Sequence, residues 1–209
     1  MRGVRGSKGP IENITMHDLA GDIAGVIETL GCSPVHVLGW AFGSRIVRCL
    51  ASDRPELIKT LILLCAAGKV QPSAETMKIF SKTFTRETPR EELIDSFIYS
   101  FFSPDTPRES ALRILRLSKN WPEAKKANRF ANTNTNVEEW WDSGKADLLI
   151  IQGLDDRIAP PENGRLYKEK FGDRITLIEI EKAGHFLVQE QPQVISKAII
   201  SYLKGKKFS

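Results

Sequence analysis

The sequence lacks the patterns that mark several large classes of protein. None of its apolar runs approaches the roughly 18 residues of a membrane span, and its first ten residues contain no hydrophobic core of a signal peptide. Its glycines form neither a G-x-G-x-x-G fingerprint nor a P-loop. A strong charge of one sign is also missing, because 30 basic residues are interspersed with 26 acidic ones. We therefore expect no membrane association, no nucleotide cofactor and no nucleic-acid partner.

Cysteine is scarce as well. Cys32, Cys49 and Cys65 are an odd number, lack the spacing of metal ligands, and lie in or beside apolar runs. Neither His17 nor His36 forms a metal-ligand spacing with them, and both histidines are expected to be structural or exposed. The three thiols are predicted to be reduced packing residues, which favours a cytoplasmic location and argues against a metal ion.

Strand and helix patterns alternate along both ends of the chain. Of its 209 residues, 41% are hydrophobic, which is enough for a substantial core. Helices are predicted at 15–30, 42–55, 161–172 and 192–205, and short apolar runs predict strands at 35–40, 58–68, 146–153 and 175–180. Thr15 and Asp18 are placed as the cap and its partner at the start of the first helix. The fold class is therefore α/β, with a mostly parallel sheet flanked by helices.

The strand pattern stops in the middle of the chain. Amphipathic segments at 74–84, 90–102 and 108–120 predict helices there, and three tryptophans follow them. We predict a core from residues 1–68 and 146–209, with residues 69–145 inserted as a helical cap. An insertion over strand ends makes a natural lid, although most of its aromatic side chains are expected to pack in the core.

One short segment has the frame of an active site. In "GWAFG", Gly39 and Gly43 flank Ala41 between an apolar strand and a helix, where small neighbours allow the sharp turn of a nucleophile elbow. Asp156 then follows a later strand, and His185 follows the next one. The nucleophile position, the acid and the histidine therefore follow one another in this order along the chain. In this arrangement the acid orients the imidazole toward the residue at the apex of the turn.

The segments "RGVRGSKGP", "GWAFG", "GLDDRIAP" and "AGHFLVQEQP" together resemble the α/β-hydrolase superfamily over almost the whole chain. The resemblance implies that Ala41 occupies the nucleophile position, His185 is the general base and Asp156 is the orienting acid. It also implies that the backbone N–H of Phe42 is an oxyanion donor. Asp155 is the less favoured acid and is expected to be solvated or to stabilise a turn.

The chain departs from the family at the nucleophile. A methyl group cannot attack a carbonyl, and loss of a triad serine costs about 10⁶-fold in rate. Ser44 lies a helical turn from the apex and is expected to bond to its own backbone rather than to replace the nucleophile.

The chain also departs from the family at its start, because the superfamily has further strands before the "RG" segment. The strand at 35–40 is therefore expected to leave an exposed sheet edge. The favoured explanation is that the sequence is a truncated reading of a longer protein. The other is a homodimer that covers the edge.

Three functional hypotheses follow from the resemblance. In the first, a relative of serine esterases and peptidases binds a small apolar carbonyl or ester-like ligand, with acyl-enzyme hydrolysis lost or residual. In the second, His185 and Asp156 act as a base pair without a covalent intermediate, as in a hydrolase or a lyase. In the third, the chain is an engineered serine-to-alanine form of an active serine hydrolase.

Overall fold

A parallel sheet of four strands organises the chain. The computed structural model describes residues 1–85, 87–117 and 121–205. The strands lie in the order β1-β2-β3-β4 and helices flank the sheet. Their bounds are Val35–Trp40 (β1), Ile58–Leu64 (β2), Asp147–Gly153 (β3) and Ile175–Ile180 (β4). All four predicted strands are confirmed, except that β2 ends at Leu64 and not at residue 68. Each strand is a short apolar run between turn residues.

Nine α-helices are found among the described residues. They are α1 (Met16–Leu30), α2 (Phe42–Asp53), α3 (Ala74–Lys82), α4 (Arg90–Phe101), α5 (Arg108–Leu117), α6 (Pro122–Thr133), α7 (Glu162–Phe171), α8 (Leu187–Glu190) and α9 (Pro192–Leu203). The predicted helices are confirmed, except that residues 118–120 of the helix predicted at 108–120 lie outside the described residues. Sequence reasoning missed α6 and α8. In the part of the chain that the structure describes, no helix has both the length and the apolar character needed to cross a membrane.

The ends of α1 form as the sequence predicts. The Thr15 hydroxyl accepts a hydrogen bond from the backbone N–H of Asp18 at 3.2 Å. The Asp18 carboxylate in turn accepts one from the backbone N–H of Thr15 at 2.7 Å, which completes a capping box. At the other end Gly31 has a φ of +60° and stops the helix in the left-handed conformation.

The buried face of α1 differs from the predicted one. The spacing of the large apolar residues in 15–30 predicts a buried face that includes Val26 and Leu30, but these two side chains are 58% and 70% exposed. The buried side chains are Met16, Leu19, Ala20, Ala24 and Ile27. The two small alanines allow close packing, so the buried stripe is shifted from the one that the large side chains alone indicate.

The chain divides into two compact units. The first comprises Met1–Leu63 and Lys119–Leu148, and the second comprises Leu64–Ser118 and Leu149–Ser209. Helices α1, α2 and α6 belong to the first unit, whereas α3 to α5 and α7 to α9 belong to the second. The described residues between 69 and 145 form helices and no strand. The division into a core and a cap stays a prediction.

Candidate active site

The turn between β1 and α2, in the first unit, has the backbone of an elbow. Ala41 has a φ of +52° and a ψ of −118°, a conformation that residues with a side chain rarely adopt. A Cβ added at Gly39 would lie 2.6 Å from the carbonyl oxygen of Gly43, so residue 39 must be glycine. A Cβ at Gly43 would meet open space, and Gly43 therefore contributes mainly through the close approach of its carbonyl.

Phe42 and Ser44, which follow Ala41, have different surroundings. Phe42 is the first residue of α2, and N–H groups in a first helical turn have no acceptor within the helix. Such a group can stabilise an oxyanion. Ser44, by contrast, is buried, and its hydroxyl oxygen accepts a hydrogen bond from Nη2 of Arg48 at 3.3 Å. This contact uses the hydroxyl only as an acceptor, so the expected bond from its O–H to the backbone stays a prediction.

In the second unit, a carboxylate and an imidazole meet at the ends of two strands. Asp156 follows β3 and His185 follows β4. Nδ1 of His185 lies 2.9 Å from Oδ2 and 3.1 Å from Oδ1 of Asp156. The two residues are 7% and 3% exposed, respectively. With a proton on Nδ1, the imidazole donates to the carboxylate, and Nε2 can accept a proton from another group.

Backbone groups fix the Asp156 carboxylate independently of the histidine. Oδ1 accepts hydrogen bonds from the N–H groups of Ile158 at 2.9 Å and Ala159 at 2.8 Å. The neighbouring Asp155 accepts instead from the Ser103 hydroxyl at 2.6 Å. The two adjacent carboxylates therefore have different partners, and it is Asp156 that contacts the imidazole.

The loop that carries His185 is held in place by Glu190, which sequence reasoning missed. One oxygen of its carboxylate accepts from the N–H of Gly184 at 2.8 Å. The other accepts from the N–H of Ser103 at 2.7 Å and from the hydroxyl of Thr106 at 2.6 Å. Gly184 leaves no room for a side chain, since an added Cβ would lie 2.7 Å from the carbonyl carbon of Phe102. The Glu190 carboxylate thus hydrogen-bonds both the histidine loop and the segment 103–106, beside the imidazole.

Aromatic rings line the same loop. We call Phe97, Phe101, Phe102 and Phe186 the aromatic cluster. The ring centroid of Phe101 lies 5.8 Å from that of His185, and Phe102 stacks on Phe186 at 5.0 Å with 6° between the planes. The N–H of Phe186 donates to the carbonyl oxygen of Phe101 at 3.1 Å. The end of α4 therefore packs directly on the histidine loop and gives it an apolar border.

The three cysteines have three different environments. Cys49 is buried, and burial raises the pKa of its thiol to about 12, which makes it unreactive at neutral pH. Cys32 is exposed, so the prediction that it packs in the core is wrong. It lies in the turn before β1, where the adjacent apolar run does not cover it. Cys65 is buried and follows β2, with its Sγ 3.2 Å from the carbonyl oxygen of His185.

The other two histidines have structural partners. Nδ1 of His17 lies 2.7 Å from Oδ2 of Asp53, and the exposed His36 pairs with the hydroxyl of Thr60. Both are structural or exposed, as expected.

Comparison with known proteins identifies the family. The sequence model of the Alpha/beta hydrolase family matches residues 2–198. The chain belongs to this family. The match includes the elbow segment, the aspartate after β3 and the histidine after β4.

Curated relatives of this alpha/beta hydrolase are distant and match over most of their length. BpoC of Mycobacterium tuberculosis (strain ATCC 25618 / H37Rv), whose name places it provisionally among the non-heme bromoperoxidases, is 23% identical over 221 residues. The match covers 99% of this chain and 81% of BpoC. The uncharacterised hydrolase YugF of Bacillus subtilis (strain 168) is 23% identical over 200 residues, which cover 91% of this chain and 72% of YugF.

Solved structures share the fold of this alpha/beta hydrolase. Rv0554 of Mycobacterium tuberculosis has a TM-score of 0.79 at 22% identity, with 99% of this chain and 78% of the other covered. An esterase from Exiguobacterium antarcticum has a TM-score of 0.77 at 21% identity, with coverage of 97% and 79%. The chain is thus related to proteins named as esterases and as bromoperoxidases.

Proposed function

We propose that this alpha/beta hydrolase binds a small apolar carbonyl or ester-like ligand and that hydrolysis through an acyl-enzyme is lost or residual. In this proposal Ala41 occupies the nucleophile position, His185 and Asp156 are the base and its orienting acid, and the N–H of Phe42 is an oxyanion donor. The observation that carries the proposal is the elbow backbone of Ala41, which is retained although the side chain is a methyl group.

The chemistry of a methyl group sets the expected activity. Acyl-enzyme hydrolysis needs an oxygen or sulfur nucleophile at the apex, and removal of a triad serine lowers the rate by about 10⁶-fold. Binding groups and oxyanion donors alone still give about 10³ to 10⁴-fold over water. We therefore expect slow turnover at most.

The surroundings of His185 support an apolar ligand. The aromatic cluster borders the imidazole on the Phe101 side, and aromatic walls with a few polar groups are typical of small-molecule sites. The solved relative from Exiguobacterium antarcticum is named an esterase, which supports esters as the ligand class.

A second candidate function uses the His185 and Asp156 pair as a base. The supporting observation is that the pair is buried and hydrogen-bonded although the nucleophile is absent. In this mechanism Nε2 takes a proton from water, which attacks a bound carbonyl, or from an acidic C–H of the ligand. No covalent intermediate forms in either case.

Restoring the serine tests the main proposal. We expect Ala41→Ser to raise kcat/KM for short-chain p-nitrophenyl esters by at least about 10²-fold, with an acyl-enzyme burst. Adding His185→Ala should remove the gain, whereas adding Ser44→Ala should leave it unchanged. An Ala41→Ser protein that folds normally by near-ultraviolet circular dichroism but shows no gain would refute the proposed site. A gain would also be expected of an engineered form of a serine hydrolase.

The unmodified chain separates binding from base catalysis. Calorimetry with a non-hydrolysable ester analogue measures affinity, and long incubation with the ester measures turnover. If the site binds the ester but does not hydrolyse it, His185→Ala leaves the affinity for the analogue nearly unchanged. The parent protein then shows no enzymatic turnover that the substitution could remove. If His185 is a base, the slow turnover of the Ala41 protein disappears in His185→Ala.

A further inference from the structure

Three buried side chains with different donor atoms meet in the second unit. Cys65 follows β2, Asp156 follows β3 and His185 follows β4. One donor atom from each, a sulfur, a carboxylate oxygen and a ring nitrogen, lies within 4.8 Å of the others. The sequence did not indicate this group, because its members are far apart along the chain and have no motif spacing.

The distances are close to those around a tetrahedral metal ion. Zinc binds sulfur at about 2.3 Å and nitrogen or oxygen at about 2.0 to 2.2 Å, so two donors on one ion lie roughly 3.3 to 3.7 Å apart. Nδ1 of His185 and Oδ2 of Asp156 are already 2.9 Å apart. Binding therefore requires this pair to separate by about 0.5 Å and the longest pair to contract by no more than about 1.5 Å, which side-chain rotation can supply.

The donor set selects the kind of ion. Calcium and magnesium prefer oxygen ligands alone, whereas a thiolate with an imidazole suits a softer ion such as Zn²⁺. We propose that Cys65, Asp156 and His185 bind one Zn²⁺ ion. Three protein ligands leave a fourth position for water, as in open zinc sites.

Hydrogen bonds that would persist when the ion binds hold Asp156 and Cys65 in place. Oδ1 of Asp156 accepts from the N–H groups of Ile158 and Ala159, which leaves Oδ2 directed at the imidazole. The backbone N–H of Cys65 donates to the carbonyl oxygen of Ile151 at 3.1 Å, which fixes the start of its side chain. Such supporting contacts raise metal affinity, because the ligands are already oriented.

Binding rearranges two protons. The Cys65 thiol, which lies 3.2 Å from the carbonyl oxygen of His185, loses its proton to solvent and binds as the thiolate. Nδ1 of His185 becomes a ligand, and the ring proton moves from Nδ1 to Nε2, so the imidazole stays neutral. Nε2 is then a donor and cannot accept a proton. Zn²⁺ is thus an inhibitor of any base catalysis by His185, a consequence that rests on the proposed function, whereas binding itself does not.

Cobalt provides a readout that is independent of activity. The test protein is the full chain with the substitution Cys32→Ala, which removes the exposed thiol. This protein is titrated with Co²⁺. We expect one equivalent of Co²⁺ to produce a near-ultraviolet thiolate-to-metal charge-transfer band and visible bands of tetrahedral cobalt, which Zn²⁺ then displaces. Further substitution Cys65→Ala should abolish the charge-transfer band. Because Asp156 and His185 are direct ligands, Asp156→Asn or His185→Ala should weaken Co²⁺ binding by more than the roughly 10 to 100-fold that loss of a supporting contact costs.

Matched variants serve as controls. Asp155→Asn changes the adjacent carboxylate, and Cys49→Ala removes a buried thiol of the first unit, so both should bind like the parent. If Cys65→Ala does not fold, Cys65→Ser keeps the size of the side chain and should still lose the band. Absence of the band in the folded parent, or its persistence in a Cys65 variant, would overturn the zinc site. If Zn²⁺ binds but does not inhibit the slow ester turnover, only the proposed catalytic role of His185 is overturned, and the zinc site stands.

Discussion

Ala41 combines the backbone of an elbow with a methyl side chain. Its φ of +52° and ψ of −118° lie in a region that costs a residue with a Cβ on the order of 1 to 3 kcal/mol. In a serine hydrolase this strain exposes the hydroxyl at the apex. Here it exposes only a methyl group, so the strain reduces stability without serving acyl transfer.

Glycine at position 41 should therefore stabilise the protein. Ala41→Gly relieves the backbone strain of the folded state. Glycine also raises the chain entropy of the unfolded state, which offsets part of this gain. We expect a net increase of about 1 kcal/mol in the free energy of unfolding. Urea denaturation followed by circular dichroism measures the change. Ala51→Gly is the matched control, because Ala51 is a buried interior residue of α2 and the same substitution there should destabilise by about 1 kcal/mol or more. Equal losses in both variants would show that Ala41 is unstrained.

At the scale of elements, His17 joins the start of α1 to the end of α2. Its Nδ1 lies 2.7 Å from Asp53 and its Nε2 lies 3.4 Å from Glu139. Partial burial lowers the pKa of His17, but the hydrogen bond that its ring donates to Asp53 and the charges of both carboxylates outweigh this effect, so the pKa is raised. The contribution to stability is therefore fully present below the unfolded value of about 6.5 and is lost as the pH rises through the folded pKa.

Removing His17 should flatten this pH dependence. We expect His17→Gln to have a lower melting temperature than the parent at pH 6 and a nearly equal one at pH 9. The difference stays small, because the pair is partly exposed and water screens it. Thermal melts of both proteins across this range measure the effect. His36→Gln is the control, and a His17→Gln deficit that grows with pH would contradict the assignment.

The elements were predictable where their signals are local. The capping box of Thr15, the glycine after α1 and the apolar runs of the strands are all properties of neighbouring residues. Helix α6 was missed because its buried side chains are alanines, at 124, 127 and 131, which give little hydrophobic signal. The shifted face of α1 has the same cause.

The site was predictable only in part. Asp156 and His185 follow successive strands, and their order along the chain indicated a pair. Cys65 lies 120 residues before His185, and Glu190 lies 87 residues after Ser103. Contacts over such distances leave no pattern in a single sequence. Neither the approach of Cys65 to the histidine loop nor the bond of Glu190 to Ser103 could therefore be placed without the structure.

At the scale of the whole molecule, β1 is the terminal strand of the described sheet. Leu38, in the middle of β1, is 46% exposed. The strand "VHVLGW" contains no lysine, acidic residue or proline, which are the residues that usually protect an exposed edge from pairing. We propose that a second copy of the 209-residue chain pairs with this edge, since an antiparallel strand pair is self-complementary about a twofold axis.

Charge on the edge should prevent this pairing. We expect the 209-residue chain to be a dimer at about 100 μM by light scattering after size exclusion, and Leu38→Lys to shift it to the monomer. Leu117→Lys places the same change on an exposed leucine of α5 and should leave the dimer intact. A parent chain that stays monomeric at this concentration would contradict the proposal.

Each compact unit draws on two separated stretches of the chain, and this division sets an order for synthesis on the ribosome. A nascent chain of residues 1–118 contains neither unit complete, because the first also needs the stretch that ends at Leu148 and the second needs the one that starts at Leu149. Domains generally fold as units as the chain emerges. We therefore expect the contacts of the first unit to be completed once Leu148 has been made, and those of the second only after β4 and α9.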